Sequence, residues 1–211
     1  MALTFADALS RMPLLAVLRG LSPAEAEPVG ASLVEAGWTI IEVPLNSPEP
    51  YKSIQMMANL IGDRAIVGAG TVLRPEEVQP VADAGGVICV SPNFSEAVVR
   101  ETKNAGLISV PGVFTPSEAF RALEAGADAL KLFPGDGMSP KVVKALRAVL
   151  PANTVLVVTG GVGLDNIGEW LTAGAEGVGI GSSLYKPGKP VKAVAEDAMR
   201  FAEAAVAARS A

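Results

Sequence analysis

The stretch TPSEAFRALEAGADALKLFP, residues 115–134, contains one complete structural repeat. It opens on Thr-Pro-Ser-Glu, a capping box with proline at the first helical position, which predicts the start of a helix. Gly126 follows the helical pattern, and a glycine just past a helix end supplies the left-handed conformation that closes the helix. The apolar run at 129–133 then predicts a strand covered on both faces. The stretch is therefore a helix that leads into a buried strand.

The same unit recurs along the chain. Similar glycines end five helical patterns, at Gly37, Gly85, Gly106, Gly126 and Gly174. Buried strands are predicted at 14–19, 40–45, 66–71, 87–92, 107–111, 129–133, 155–159 and 177–181. Helix starts follow these runs, clearly at SPAE (22–25) and TPSE (115–118), and in looser form at SPEP (47–50), RPEE (74–77) and MSPK (138–141).

Eight alternating strand and helix units predict an α/β fold, a closed parallel (βα)8 TIM barrel. We expect one domain over residues 1–211, with no room for a second. A doubly wound open sheet is the alternative. The glycines of GVGIGSS (177–183) do not form the dinucleotide-binding fingerprint, which favours the barrel.

Composition excludes several classes of function. The chain has no histidine, which removes Ser-His and Cys-His nucleophile systems and histidine-containing metal sites. A net charge of −5 without a basic tract argues against nucleic acid as a partner. The apolar runs are too short to span a membrane, and the N-terminus lacks a signal-peptide pattern. The single cysteine, Cys89, fits a small buried strand residue in a reducing cytoplasm, where we expect the protein to act.

Three charged residues fall within or at the end of predicted strands. Lys131 is the one lysine inside a strand, Glu42 is the one acidic residue inside a strand, and Arg19 closes the first strand. Strand alternation places Lys131 on the same face as Phe133, opposite two leucines that suit packing against helices. Lys131 should therefore point into the barrel, where the active site lies at the C-terminal ends of the strands.

Two interpretations of Lys131 are open. It forms only a structural ion pair with Glu42, although buried pairs are weak stabilisers compared with apolar replacements. Alternatively, its amine attacks a ketone to form a Schiff base, which withdraws electrons from the adjacent carbon. Apolar neighbours favour the unprotonated amine that this reaction needs. Glu42 would then transfer protons, since no histidine competes for that role.

The last two strands end in VTGGV (158–162) and GIGSS (179–183). In many barrels the loops after strands seven and eight hold a phosphate with backbone N–H groups, and glycine lets the backbone approach an anion closely. The candidate phosphate ligands are Gly160, Gly161, Gly181 and Ser182. The alternative is that these glycines only form tight turns. Two further residues have two interpretations each. Thr71 in GAGTV is either a hydrogen-bonding group close to the reacting atoms or a structural threonine. Pro92, at the end of the fourth strand, is either a binding residue or a turn residue.

The ordered motifs AVLRG, IIEVPLNSP, VGAGTV, VSPN, ALKLFP, VTGGV and GIGSSLY resemble the KDPG and KHG aldolases over residues 13–205. These are pyruvate-dependent class I aldolases that cleave 2-keto-3-deoxy-6-phospho sugar acids. The resemblance implies a (βα)8 barrel, a homotrimer, and no metal or other cofactor. It implies that Lys131 is the Schiff-base lysine and that Glu42 is the acid-base residue, assisted by a water. It also implies that Arg19, Thr71 and Pro92 surround the pyruvate carboxylate and keto end, and that Phe133 packs beside the imine. The phosphate is then bound by Gly160, Gly161, Gly181 and Ser182.

Two positions bear on the sugar epimer. PLNSP (44–48) looks most like the galactonate branch of the family, whereas the gluconate branch usually carries arginine in place of Asn46. Thr159 looks more like the gluconate branch, since the galactonate branch often has valine there, near the hydroxyls that distinguish the epimers. Galactonate cleavage is the main expectation, with gluconate or dual activity as alternatives. Two more remote alternatives remain. One is a different phosphate-binding barrel enzyme, such as an isomerase or synthase, and the other is a non-catalytic phospho-sugar-acid binding protein.

Overall fold

Parallel strands form the central layer of the structure, a computed structural model that describes residues 3–209. The strands are β1 (Leu14–Val17), β2 (Ile40–Pro44), β3 (Ile66–Gly70), β4 (Ile88–Val90), β5 (Ile108–Val110), β6 (Gly112–Val113), β7 (Leu130–Leu132), β8 (Leu156–Thr159) and β9 (Gly177–Ile180). Their order is β5-β4-β3-β2-β1-β9-β8-β7-β6, and each neighbouring pair is parallel.

The barrel closes at Pro111. This residue separates β5, which pairs with β4, from β6, which pairs with β7. Proline has no N–H to donate to a ladder, so the fifth barrel strand is split at Pro111. Its second half, Gly112–Val113, lies beyond the run that we expected over 107–111. The Pro111 carbonyl still accepts a hydrogen bond from the Lys131 N–H at 2.9 Å. β5 and β6 are thus two halves of one barrel strand, and the prediction of a (βα)8 barrel is confirmed.

A helix follows each barrel strand. The helices are α2 (Pro23–Glu35), α3 (Pro50–Ile61), α4 (Val78–Asp83), α5 (Glu96–Asn104), α6 (Pro116–Glu124), α7 (Pro140–Arg147), α8 (Ile167–Thr172) and α9 (Val191–Arg209). The capping boxes of SPAE and TPSE start α2 and α6 as predicted, whereas RPEE forms a 3₁₀ turn ahead of α4. All five predicted capping glycines have positive φ. No helix within residues 3–209 is long and apolar enough to cross a membrane.

An additional helix, α1 (Phe5–Arg11), precedes the first strand and was not predicted. Its buried side chains Phe5, Ala8 and Leu9 pack in one cluster with the inner-face residues of the barrel. Thr39, just before β2, donates its hydroxyl hydrogen to the Ala8 carbonyl at 2.9 Å. Because strands begin at this end, α1 covers the N-terminal end of the barrel. The interior is therefore accessible from the opposite, C-terminal end.

Candidate active site

Lys131 points into the barrel from the middle of β7. Its neighbours Leu130 and Leu132 belong to the apolar layer between strands and helices, as strand alternation requires. The Lys131 side chain is 7% exposed, and its Nζ lies 3.7 Å from Oε1 of Glu42. The same Nζ lies 5.1 Å from the centre of the Phe133 ring. The amine is therefore held in a mainly apolar site, and Glu42 is the one carboxyl group within ion-pair distance of it over residues 3–209.

Glu42 lies on the inner face of β2, and its side chain is 1% exposed. A separation of 3.7 Å from Lys131 is an ion pair and is too long for a direct hydrogen bond. Its other oxygen, Oε2, has no hydrogen-bond partner among residues 3–209. Burial raises the pKa of Glu42, and the charges of Lys131 and Arg19 partly oppose this shift. A carboxyl group in such surroundings is suited to accept and return a proton.

Gly70, the last residue of β3, makes room for the Glu42 carboxyl group. A Cβ atom at this position would overlap Oε2 and Cδ of Glu42. β2 and β3 are neighbours in register, with Pro44 opposite Gly70, so backbone adjustment cannot easily separate them. The observed position of the Glu42 carboxyl group thus depends on the absence of a side chain at Gly70.

Replacing Gly70 by alanine is expected to displace the Glu42 carboxyl group and to lower kcat/KM about 100-fold, the effect of a misplacement of about 1 Å. Gly168→Ala is the matched control, because a Cβ atom there would make an ordinary contact with Ala208 at 3.7 Å. Steady-state kinetics and thermal unfolding of both variants measure the effect. Activity of Gly70→Ala equal to that of the control would show that the position of Glu42 does not limit turnover.

Thr71 adopts an unusual backbone conformation directly after Gly70. Its φ is +57°, in the left-handed region that β-branched residues rarely occupy. Such a conformation costs about 1–3 kcal/mol and occurs mainly at functional sites. Pro92 follows β4 and lies against β6, since a Cβ atom at Gly112, the register partner of Lys131, would overlap the Pro92 carbonyl group. Neither Thr71 nor Pro92 lines the main cavity.

A cavity of about 650 Å³ opens beside Phe133 at the C-terminal end of the barrel. Its walls include most of the sequence-predicted binding residues, namely Arg19, Phe133, Thr159, Gly160, Gly161, Gly181 and Ser182. Lys131 and Glu42 lie behind Phe133 and do not line it. The cavity thus begins at Phe133, which separates it from Lys131, and extends toward the glycine-rich loops after β8 and β9.

The glycines after β8 have a packing role as well. Gly160 and Gly161 have φ values of +97° and +66°. A Cβ atom at Gly161 would overlap the carboxylate of Asp136, and one at Gly135 would overlap the Gly160 carbonyl oxygen. The loop after β7 and the loop after β8 therefore meet backbone to backbone. The positive φ values and the close packing of the two loops favour glycine at positions 160 and 161 without any ligand. The glycines are therefore not by themselves evidence for phosphate.

The loop after β9 supplies donors on the other side of the cavity. Leu184 and Tyr185 donate their N–H groups to the Gly181 carbonyl at 2.9 and 3.1 Å, which forms one helical turn. The N–H groups of Ser182 and Ser183 begin this turn, and a helical N-terminus of this kind favours anions. Ser183 also donates its hydroxyl hydrogen to the Val162 carbonyl at 3.4 Å, which links the two loops.

Two charged residues of the cavity wall were missed from the sequence. Lys186 follows the helical turn and brings a positive charge to it, while Asp136 brings a negative charge to the glycine pair. Lys186 could have been found as the first cation after GIGSSLY. Asp136 gave no signal, because PGDG is typical of an ordinary turn. Cys89 is buried as expected, and burial raises the pKa of its thiol to about 12, so it stays protonated.

A parallel barrel with a buried lysine and carboxyl group at its C-terminal end is the architecture expected of a class I aldolase. The family model described as KDPG and KHG aldolase matches residues 6–200. The chain belongs to the KDPG and KHG aldolase family.

Relatives and solved structures support this assignment. The 2-dehydro-3-deoxy-6-phosphogalactonate aldolase of Escherichia coli is 43% identical over 92% of this chain and 95% of its own length. A probable enzyme of the same description from Rhizobium meliloti is 47% identical over 83% of each chain. The native KDPGal structure superposes with a TM-score of 0.93 at 42% identity, over 95% of this chain and 98% of that one. A chain of a cube-shaped, porous cage designed by fusing symmetric oligomeric domains gives the same score and identity, over 95% of this chain and 74% of that chain.

Proposed function

We propose that the chain is a class I aldolase that cleaves 2-dehydro-3-deoxy-6-phosphogalactonate to pyruvate and D-glyceraldehyde 3-phosphate. The observation that carries the proposal is the buried Lys131 amine, 3.7 Å from the Glu42 carboxyl group, beside a cavity that is lined by glycine-rich loops. The galactonate relatives, at 43% and 47% identity, support the choice of substrate. Reduction of a pyruvate adduct by borohydride tests the proposal directly.

The mechanism uses Lys131 as nucleophile and Glu42 as proton carrier. Lys131 attacks the 2-keto carbon to give a carbinolamine, which loses water to form a protonated imine. Glu42, directly or through water, removes the proton from the carbon-4 hydroxyl. The bond between carbons 3 and 4 then breaks, its electron pair passes to the imine to form an enamine, and glyceraldehyde 3-phosphate leaves. Glu42 returns its proton to carbon 3, and water hydrolyses the imine to release pyruvate. No metal ion is required in this scheme, because the imine accepts the electrons.

The cavity walls suit the two ends of the substrate. Arg19 provides a guanidinium for the pyruvate carboxylate, and Phe133 packs against the imine. Thr71 and Pro92 do not line the cavity, and the resemblance to the family is what assigns them to the keto end. At the other end, the phosphate is bound by backbone N–H groups of the loops after β8 and β9, with the Ser182 hydroxyl. Lys186 supplies the local positive charge that a chain of net charge −5 needs to attract this anion.

Thr159 supports activity on the gluconate epimer as well. Its Oγ1 is buried at the cavity wall and has no hydrogen-bond partner among residues 3–209. We expect Thr159→Val to lower kcat/KM on the gluconate epimer about tenfold, the effect of one lost hydrogen bond to a substrate hydroxyl, with little change on the galactonate epimer. Turnover of both epimers is the measurement.

Thr154→Val is the matched control for this comparison, because Thr154 Oγ1 is also buried and unpartnered but lies away from the cavity. The control should leave the ratio of the two activities unchanged. If Thr159→Val also leaves this ratio unchanged, Thr159 does not discriminate between the two epimers.

We also propose a homotrimer in the cytoplasm. The designed cage, in which a similar chain belongs to a fusion of symmetric oligomeric domains, supports a symmetric assembly. Leu73 and Phe114, each 47% exposed, follow strands at the C-terminal end and suit such an interface. The free, buried Cys89 fits a reducing compartment. Sedimentation equilibrium tests the assembly, against a chain mass of 21.5 kDa.

A further inference from the structure

The loop after β2 is tied to the loop after β1 by two hydrogen bonds. Arg19 donates from Nη1 to Oδ1 of Asn46 at 2.9 Å, and the Gly20 N–H donates to the Ser47 hydroxyl at 2.9 Å. Ser47 is 8% exposed, so its bond is part of the packed structure. The two strands are neighbours, with Val17 opposite Glu42. The tied loops therefore begin next to the proposed acid-base residue.

Asn46 is the anchor of the Arg19 side chain. Over residues 3–209, Arg19 forms no ion pair, and its one side-chain hydrogen bond goes to Asn46. Arg19 itself is exposed at the cavity wall. A long exposed side chain without an anchor is spread over many rotamers. The position of the guanidinium above the cavity thus depends on Asn46.

The chemistry of the anchor leaves the charge of Arg19 available. An asparagine carbonyl accepts a hydrogen bond without neutralising the guanidinium, whereas a carboxylate in its place would form an ion pair. A guanidinium has five N–H donors, and Asn46 uses one of them. The remaining donors can form two parallel hydrogen bonds with the carboxylate of a ligand.

We propose that Asn46 is a positioning residue, which holds Arg19 at the cavity so that its guanidinium binds the carboxylate of a 2-keto acid. The inference rests on the proposed function, in which Arg19 contacts the pyruvate carboxylate. Arg19 also acts on Glu42, since its charge and that of Lys131 lower the pKa of that carboxyl group against the effect of burial. Release of Arg19 should therefore have two separate consequences, weaker binding of the 2-keto acid and a higher pKa of Glu42.

Titration with pyruvate followed by borohydride reduction tests the first consequence. Asn46→Ala should raise the pyruvate concentration for half-maximal labelling of Lys131 about fivefold, the effect of one lost hydrogen bond, with the same maximal labelling. Asn46→Asp should raise it further, about tenfold, because the new carboxylate pairs with Arg19. Asn104→Ala, an exposed asparagine of α5, is the matched control and should bind pyruvate like the wild type.

A double-mutant cycle separates positioning from a general structural effect. In an Arg19→Ala background, Asn46→Ala should cause no further rise in the half-saturating pyruvate concentration. In the wild-type background, Asn46→Ala should also move the acid limb of the kcat/KM profile to higher pH, because Glu42 loses part of the charge that faces it.

A half-saturating concentration within twofold of wild type for Asn46→Ala overturns the inference and leaves the proposed function standing. An equal rise with and without Arg19 overturns it as well, since Asn46 would then act independently of the guanidinium. A wild-type protein that gives no adduct at Lys131 overturns the proposed function and, with it, this inference. The wild-type titration thus distinguishes the two failures.

Discussion

Lys131→Met is expected to abolish turnover, with a fall in kcat on the order of 10⁶-fold, as for the loss of other covalent nucleophiles. Methionine keeps the length and apolar stem of the side chain but has no amine to form the imine. The variant should still fold. Glu42, left without its cation, is expected to take up a proton, because burial already raises its pKa.

Borohydride trapping gives the decisive measurement. With pyruvate present, the wild type should be labelled at Lys131, and Lys131→Met should not be labelled at all. Lys141→Met, which removes an exposed lysine of α7, is the control and should be labelled and active like the wild type. Labelling of another lysine, or turnover abolished by a chelator, would contradict the proposed mechanism. Binding of the phosphorylated ligand without any adduct would instead indicate an isomerase, a synthase or a non-catalytic binding protein.

The position of Lys131 was predictable because it depends on short-range regularities. Strand alternation alone turns Lys131 and Phe133 to the inner face and the two leucines to the helices. The five capping glycines fix where five of the helices end, and so fix where the strands after those helices can start. Covered parallel strands are apolar on nearly every residue, which makes one lysine and one glutamate conspicuous in them.

Contacts between distant parts of the chain could not be read in this way. A Cβ atom at Gly70 would overlap the carboxyl group of Glu42, 28 positions earlier, and one at Gly161 would overlap that of Asp136, 25 positions earlier. Arg19 finds its anchor 27 positions away. A sequence pattern shows that a residue is small or polar. It does not show which distant residue lies against it in the folded chain. The split at Pro111 was missed for a related reason, since the β4 and β7 ladders bond to different halves of that strand.

The proposed nucleophile, Lys131, pairs with the strand that closes the barrel at Pro111. The Lys131 N–H bonds to the Pro111 carbonyl and so helps to close the sheet, while the Lys131 side chain faces Glu42 across the interior. The backbone of the residue is fixed by two neighbouring strands, β6 and β8. A nucleophile on a paired strand is held more firmly than one on a loop. This explains why changes at Lys131 should alter chemistry far more than they alter folding.

Glu42→Gln is expected to separate imine formation from carbon–carbon cleavage. The variant should still give a borohydride-trapped pyruvate adduct at Lys131, because attack on the ketone uses the amine. Turnover should fall about 1,000-fold, within the range for loss of a general acid-base group. Glu124→Gln, which changes an exposed glutamate on α6, is the control and should keep wild-type activity.

The pH dependence gives an independent check on Glu42. Its pKa is raised in the folded protein, chiefly by burial, so the folded state binds this proton more tightly than the unfolded state does. Its contribution to stability is therefore full below the unfolded pKa and is lost as the pH rises through the folded pKa. In Glu42→Gln, the free energy of unfolding should fall less steeply between the unfolded and the folded pKa of Glu42. The variant should also lack the acid limb of the kcat/KM profile. An acid limb that persists in Glu42→Gln would assign the proton transfer to another group.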